Sequence, residues 1–180
     1  MATDYTSLIN DTGHSDVLVD AEQPIIINGF TRKCEIPDNF NKQIGVVGDH
    51  KSNLVTFQCD RYIDGHDISA CSMAFIKWQN LGSGASNAYT IEDRAVLEAD
   101  ENKVQFHWEI ESDVTTAPGS VKFQVCFLDY DEEGTKVTYR WNSNPNNELS
   151  IGEGMFDPNI DGLAANETGS FIYSGAISIT

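Results

Sequence analysis

The 180-residue sequence predicts an all-β protein: an antiparallel β-sandwich, immunoglobulin-like or jelly-roll-like, with an extended N-terminal arm. The clearest indication is the strict alternation of apolar and polar residues in "KVQFHWEIE", residues 103–111. Side chains of a strand alternate between two faces, so this run has one buried and one solvated face. Turn signals also recur about every 8 to 12 residues, which is typical of sandwiches and barrels. The sequence shows no convincing amphipathic helix.

The first half of the chain contains an arm and several strand signals. Residues 1–22 are polar and acidic without periodicity, and we expect them to extend from the domain and contact another chain. The run "PIIIN" follows and ends in an "NG" turn pair. "LVTFQC", residues 54–59, predicts a strand, and "ACSMAFIKW", residues 70–78, predicts a central strand because it is apolar on both faces. "AYTIED" and "AVLEA" are shorter candidate strands.

The second half of the chain repeats the alternating pattern. "SVKFQVCFLDY", residues 120–130, and "KVTYRWN", residues 136–142, predict two strands joined by a "DEEG" hairpin turn. The end of the chain, "SFIYSGAISIT", predicts a further strand that is broken at Gly175. The predicted organisation is therefore an arm, a sandwich domain over residues 23–155, and a C-terminal segment over residues 156–180.

The composition is strongly acidic, with 28 Asp and Glu against 11 Lys and Arg and a net charge of −17. Nucleic-acid binding normally needs a basic patch, and an anionic membrane surface would repel this chain, so we expect neither as a partner. We find no apolar run near the roughly 20 residues of a membrane span, and no secretory signal pattern. The acidity indicates a solvated surface that discourages random association.

The four cysteines are interpreted as structural thiols. They are widely spaced without a C-x-x-C pair, and three lie in strand-like apolar runs, where a free thiol behaves as a small hydrophobic group. Disulfides or a zinc site are the alternatives. The residues are Cys34, Cys59, Cys71 and Cys126.

The stretch "FQCDRYIDGHDIS", residues 57–69, places several ligand-type side chains around one glycine. Asp64 and Gly65 form a typical hairpin pair, and Asp67 can bond the backbone two residues further on. A turn between strands therefore explains the acids and the glycine without a ligand. A metal site or an acid–base site is the alternative, and either would need convergent groups from elsewhere in the chain.

Two segments approach the pattern of a calcium-binding loop. "DYDEEGTKVTYR" has Arg140 where the closing carboxylate belongs, so we interpret it as a hairpin turn. "DPNIDGLAANET" is closer, although its twelfth position is Thr168. It is interpreted as a polar loop, with a weak calcium candidate formed by Asp157, Asn159 and Asp161.

Catalytic motifs are not apparent. The histidines lie far apart in sequence, and no zinc-protease, nucleophile-elbow, P-loop or dinucleotide fingerprint occurs. His107 lies on the polar face of its strand and is expected to be solvated. Trp78, Trp108 and Trp141 are interpreted as core residues, and a sugar-stacking platform is the alternative. We predict no catalytic residue and no cofactor.

The order of these segments resembles a known family. "RKCEIP" precedes "IGVVGDHKSNLVTFQCDRYIDGHDIS", and "FIKWQN", "VQFHWEI", "PGSVKFQVCF" and "YRWNSNPNNELSIGEGM" follow. Residues 32–155 thereby resemble a β-sandwich domain of tailed-bacteriophage virion proteins, similar to the N-terminal domain of baseplate upper proteins. In that resemblance, "RYIDGHDIS" connects two core strands. Baseplate upper proteins usually continue into trimerising or receptor-binding regions, whereas the sequence here ends at Thr180. We therefore expect a small accessory or adaptor subunit rather than a host-recognition protein.

The resemblance implies a non-enzymatic structural protein of a tailed phage particle, on the tail, the baseplate or the capsid surface. Its partners would be other virion proteins and further copies of itself, and it would reside in the virion after assembly in the host cytoplasm. Strand addition to an exposed sheet edge is one route to such contacts. A carbohydrate- or host-surface-binding module is the alternative, and an enzyme is the third hypothesis. The predicted assembly contacts are Tyr5, Leu8, Ile9, Phe171, Tyr173, Ile177 and Ile179.

Overall fold

The computed structural model describes residues 23–155, which form two large β-sheets packed around one core and a small two-stranded sheet. The predicted all-β sandwich is confirmed. One short 3-10 turn, Ile68–Ala70, is the only helical element in this part of the chain. The strands are Ile25–Ile27 (β1), Cys34–Glu35 (β2), Gln43–Val46 (β3), Leu54–Asp60 (β4), Tyr62–Ile63 (β5), His66–Asp67 (β6), Met73–Asn80 (β7), Ser86–Thr90 (β8), Ala95–Val96 (β9), Lys103–Glu109 (β10), Gly119–Tyr130 (β11), Val137–Asn142 (β12) and Asn146–Gly152 (β13).

The first sheet has the strand order β2-β1-β4-β10-β9, and the second has the order β3-β13-β11-β7-β8 with β12 also beside β11. Most neighbours are antiparallel, as predicted. Two pairs, β1 with β4 and β3 with β13, are parallel, which differs from a wholly antiparallel sandwich. Parallel neighbours need a long crossover connection, and in both pairs other strands of the chain intervene: β2 and β3 between β1 and β4, and β4 to β12 between β3 and β13.

The longest strand, β11, organises the second sheet. It pairs with β7 along one side, while β13 and β12 share its other side. In the gap between these two partners, the backbone N–H of Val125 donates to the hydroxyl of the buried Ser143 at 2.9 Å. The change of partner therefore leaves this buried amide hydrogen-bonded.

The core consists of the inward-facing side chains that the alternating patterns predict. Val104, Phe106 and Trp108 of β10 are all buried. The ring of Phe57 stacks on Phe106 with centroids 5.4 Å apart, and it meets Phe123 of the other sheet edge-on at 5.7 Å. Such aromatic pairs add about 0.5–1.5 kcal/mol each beyond the area that they bury. These contacts join the two sheets.

The three tryptophans belong to this core. Trp78, Trp108 and Trp141 are 5%, 0% and 1% exposed. The core interpretation is confirmed, and none of the three offers an open ring face for a stacked sugar.

Strand β7 has a hydrogen-bonded neighbour on each side, so its predicted central position is confirmed. It ends in Asn80, which is fully buried and makes four hydrogen bonds. Its Nδ2 donates to the carbonyls of Val114 and Ala117, both at 2.8 Å, and its Oδ1 accepts from the N–H groups of Gly82 and Ser83 at 2.8 and 3.0 Å. This side chain therefore ties the turn after β7 to the loop after β10.

Candidate functional site

The "DGHD" stretch forms the tight hairpin between β5 and β6. Asp64 and Gly65 have φ angles of 53° and 82°, as a two-residue turn of the primed type requires. Asp67 accepts from the N–H of Ser69 at 3.0 Å, and it pairs with Arg61 at 3.1 Å. The hydrogen bond from Arg61, followed by that from the hydroxyl of Ser69 at 2.6 Å, lowers the pKa of Asp67. The predicted turn is confirmed.

Side chains of this hairpin pack against the second sheet. The ring of His66 stacks on Tyr139 with centroids 3.6 Å apart, and its Nδ1 lies 3.2 Å from Oδ2 of Asp129. The other oxygen of Asp129 accepts from the N–H of Ser72 at 3.0 Å. Tyr139 donates to Oδ2 of Asp64 at 3.2 Å, and burial, reinforced by this bond, raises the pKa of Tyr139 to about 12. These contacts hold the hairpin on the sheet.

The first calcium-like segment is a hairpin turn. Oδ1 of Asp131 accepts from the N–H groups of Thr135 and Lys136 at 2.8 and 3.3 Å. These backbone bonds, that of Thr135 first, lower the pKa of Asp131. Within residues 23–155, no group of three or more His, Cys, Asp or Glu side chains is placed to hold a metal ion. The calcium candidate Asp157, Asn159 and Asp161 lies outside the described residues.

His107, predicted to be solvated, is instead paired. Its Nδ1 lies 2.7 Å from Oδ2 of Asp93, and its backbone N–H donates to the other oxygen of Asp93 at 3.2 Å. Asp93 comes from the segment that joins β8 to β9, which passes beside β10. The carboxylate thus caps the open edge of β10.

All four cysteines are free and buried. Burial raises the pKa of Cys34 to about 11 and that of Cys59 to about 12. Burial also raises the pKa of Cys71 and Cys126. A thiol is reactive or metal-binding mainly as the thiolate, so these environments suit packing rather than chemistry. The interpretation as structural thiols is confirmed over disulfides.

Strand β8 is a sheet edge without charge. Natural edges are usually protected by charged residues, proline, bulges or covering segments, because an open row of N–H and C=O groups can accept another strand. β8 has no charged residue and no proline, and its pairing with β7 has no irregularity. Its residues are Ser86, Asn87, Ala88, Tyr89 and Thr90.

Hydrogen bonds at the two ends of β8 show which way its backbone faces. The N–H of Ile91 donates to the carbonyl of Ala74 at 2.9 Å, and the carbonyl of Ala85 accepts from Asn80 at 2.8 Å. Both flanking residues therefore face β7. Because the direction alternates along an antiparallel strand, every second residue of β8 turns its N–H and C=O outward. These outward residues are Ser86, Ala88 and Thr90.

At the opposite edge of the same sheet, side chains from a neighbouring loop bond backbone groups of β3. The N–H of Val46 donates to a carboxylate oxygen of Asp49 at 2.9 Å, and the carbonyl of Ile44 accepts from the amide of Asn53 at 2.8 Å. Side chains of the chain itself thus engage backbone groups of β3. On β8 the described residues provide one such contact: the N–H of Ala88 donates to the side-chain oxygen of its neighbour Asn87 at 2.8 Å. No loop side chain in this part of the chain bonds an outward group of β8, so of these two edges β8 is the better suited to accept a strand.

A cleft of about 160 Å³ opens beside β8, between the two sheets. Tyr89 and Trp108 line it, together with the carboxylate residues Glu109, Glu111 and Asp113. Among the described residues that line the cleft, none is basic. Burial raises the pKa of Tyr89, opposed by a hydrogen bond from the backbone of Glu109. The hydroxyl of Tyr89 thus reaches from β8 towards β10 across the cleft.

Trp108 gives the cleft an unusual feature. Its side chain is fully buried, yet its Nε1 has no hydrogen-bond partner within the described residues. An unpaired buried donor costs about 1–3 kcal/mol.

Sequence patterns did not reveal this site. The predicted strand "AYTIED", residues 88–93, overlaps β8 only at residues 88–90. No local pattern marks β8 as an open edge, and the cleft depends on residues that are distant in sequence. The predicted assembly contacts Tyr5, Leu8, Ile9, Phe171, Tyr173, Ile177 and Ile179 lie outside the described residues. Over residues 23–155, no helix is long and apolar enough to cross a lipid bilayer.

Within residues 23–155, fold and site together define an all-β sandwich with an uncharged edge strand, β8, that no other described strand covers, beside an acidic cleft. No protein-family model matches the chain, and a comparison with curated proteins finds no significant match.

Proposed function

We propose that this chain is a non-enzymatic structural subunit of a tailed phage particle, an accessory or adaptor protein on the tail, the baseplate or the capsid surface. The observation that carries the proposal is the open edge of β8, which is uncharged in a chain with a net charge of −17. Charge repulsion keeps free subunits soluble and apart, and an uncharged edge directs association to one place. The resemblance of residues 32–155 to baseplate upper proteins supports the assignment to a particle.

The polar clusters of the described residues support a structural role. Asp67, Asp131 and Asn80 each accept two or more hydrogen bonds that close turns or loops. His66 and His107 are each paired with a carboxylate that also accepts from a backbone N–H. These groups stabilise connections between strands, and such connections define a rigid docking surface.

A saccharide-binding module is the second candidate, and the cleft favours it through its carboxylates. Sugar sites commonly use an open aromatic face, however, and Trp78, Trp108 and Trp141 are all buried. We therefore favour assembly contacts over glycan recognition. A glycan array with the purified chain separates the two, because an assembly protein shows no sugar preference.

Quantitative mass spectrometry of purified phage particles tests the proposal. We expect the chain at a fixed copy number relative to the major capsid protein after gradient purification. A number close to that of the capsid protein indicates decoration, and a few copies indicate the tail or the baseplate. Absence of the chain from particles that contain all their other structural proteins contradicts the proposal.

A further inference from the structure

We infer that the edge of β8 and the cleft beside it accept residues 168–180 of a second copy of this chain as an added β-strand. The inference rests on the proposed assembly function and gives it a site and a partner. Two features of the described residues carry it: the orientation of β8 and the charge around the cleft.

The orientation of β8 suits an added strand. Asn87 and Tyr89 lie opposite Trp78 and Ile76 of β7, so they share the inner face of the sheet with these core residues. The backbone of the residues between them faces outward. The outward N–H of Ala88 donates to the side-chain oxygen of Asn87 at 2.8 Å, and pairing with an added strand would replace this local bond. A new strand would pair with this edge and place alternate side chains over the cleft.

The carboxylates of the cleft indicate what the occupant must supply. Those of Glu109, Glu111 and Asp113 require donors or water. A peptide strand rich in hydroxyl groups offers such donors through its N–H and O–H groups.

The charge around the cleft selects between the two ends of the chain. Three carboxylates and no basic residue line it, so an acidic segment would be repelled. Residues 1–22 contain only acidic charges: Asp4, Asp11, Asp16, Asp20 and Glu22. Residues 168–180, "TGSFIYSGAISIT", have no charged side chain and are rich in hydroxyl groups. The C-terminal segment therefore fits the cleft, and the arm does not.

The pattern of this segment also fits an edge. Ile177 and Ile179 alternate with Ser178, so in a strand both isoleucines would share one face. That face would lie over the cleft, with the serine on the outside. "AISIT" has the same length as β8, and the chain between residues 155 and 168 gives it the reach to leave its own sandwich.

Hydrogen exchange of the full-length chain, combined with its mass in sedimentation, tests the inference. The variant carries Ile177→Asp and Ile179→Asp, and the matched control carries Ile177→Val and Ile179→Val. We expect the wild type and the control to be oligomeric. In the wild type and the control, we expect the amides of Ala88 and Thr90 to exchange at least about tenfold more slowly than in the aspartate variant, which we expect to be monomeric. The amide of Phe106, in the core, stays protected in all three and reports that the fold is intact.

Ala88→Pro is a second variant that leaves the C-terminal segment unchanged. It removes the outward N–H but no bond to β7, so it should dissociate the oligomer while the fold remains. Equal exchange of the β8 amides in the wild type, the valine control and the aspartate variant overturns the inference. Protection of β8 in a chain that sediments as a monomer also overturns it, because the chain's own C-terminal segment would then occupy the edge. Free β8 amides together with a fixed copy number in particles would refute the inference and leave the proposed function standing. The converse result, protected amides and absence from particles, would refute the proposed function.

Discussion

Asn80→Asp is expected to destabilise the sandwich strongly, although the substitution hardly changes the shape of the side chain. Nδ2 of Asn80 donates to the carbonyls of Val114 and Ala117, both at 2.8 Å. In the variant, a carboxylate oxygen takes the place of this donor and faces the same two carbonyls. The acceptor contacts to Gly82 and Ser83 are preserved. The substitution therefore isolates the two donated hydrogen bonds.

The magnitude follows from those two bonds. Each contributes about 1 kcal/mol, and the new carboxylate oxygen, buried against two carbonyl oxygens without a donor of its own, adds at least about 1 kcal/mol, so we expect a loss of about 3 kcal/mol or more. The loop after β10 is one wall of the acidic cleft, through Asp113 and Val114. Loosening this loop should therefore also disturb the site beside β8.

Urea unfolding at neutral pH, followed by tryptophan fluorescence, measures the loss. All three tryptophans are buried, so their emission reports the native core. Asn102→Asp, the same chemical change at an exposed turn, is the matched control and should lie within about 0.5 kcal/mol of the wild type. If Asn80→Asp also fell within that range, the assignment of Asn80 as the tie between the two loops would be refuted.

Three further results are expected. The four buried thiols should react slowly with a thiol reagent at pH 8 and completely after denaturation. The reason is that burial raises the pKa of Cys34 to about 11 and that of Cys59 to about 12. Fast reaction of the native chain would contradict their burial. The hydrogen bond from Arg61 lowers the pKa of Asp67, so the contribution of Asp67 to stability is present above its unfolded pKa of about 3.9 and is lost as the pH falls through the lower folded value. In Arg61→Gln that acid dependence should be weaker. Urea unfolding of both proteins between pH 2 and 7 measures it, and identical profiles of stability against pH would refute the contribution of the pair.

Local patterns were sufficient to predict much of the fold. The alternation in β10 and β11 identified the inward residues Phe106 and Phe123, because a strand has only two faces and the apolar one must be buried. The pair Asp64 and Gly65 identified its hairpin, because both positions need a positive φ. Neither inference required knowledge of the rest of the chain.

Features that join distant segments could not be predicted in this way. The parallel pairing of β1 with β4 depends on how the chain crosses between sheets, and no local pattern encodes that path. His107 was expected in water because its carboxylate partner, Asp93, lies on a different segment. The cleft likewise needs Tyr89 and Trp108 to meet across the two sheets. Each strand shows a buried face in its sequence, but its neighbours are set by packing.

The incorporation of Ala88→Pro into particles, compared with Ala88→Thr, tests the assembly role of β8 most directly. Both substitutions change the same exposed side chain, but only proline removes the outward N–H, and an edge strand tolerates proline at such a position. The account predicts wild-type copy numbers for the threonine variant and loss of the proline variant from purified particles. Equal incorporation of the two variants, with both folded, would contradict it.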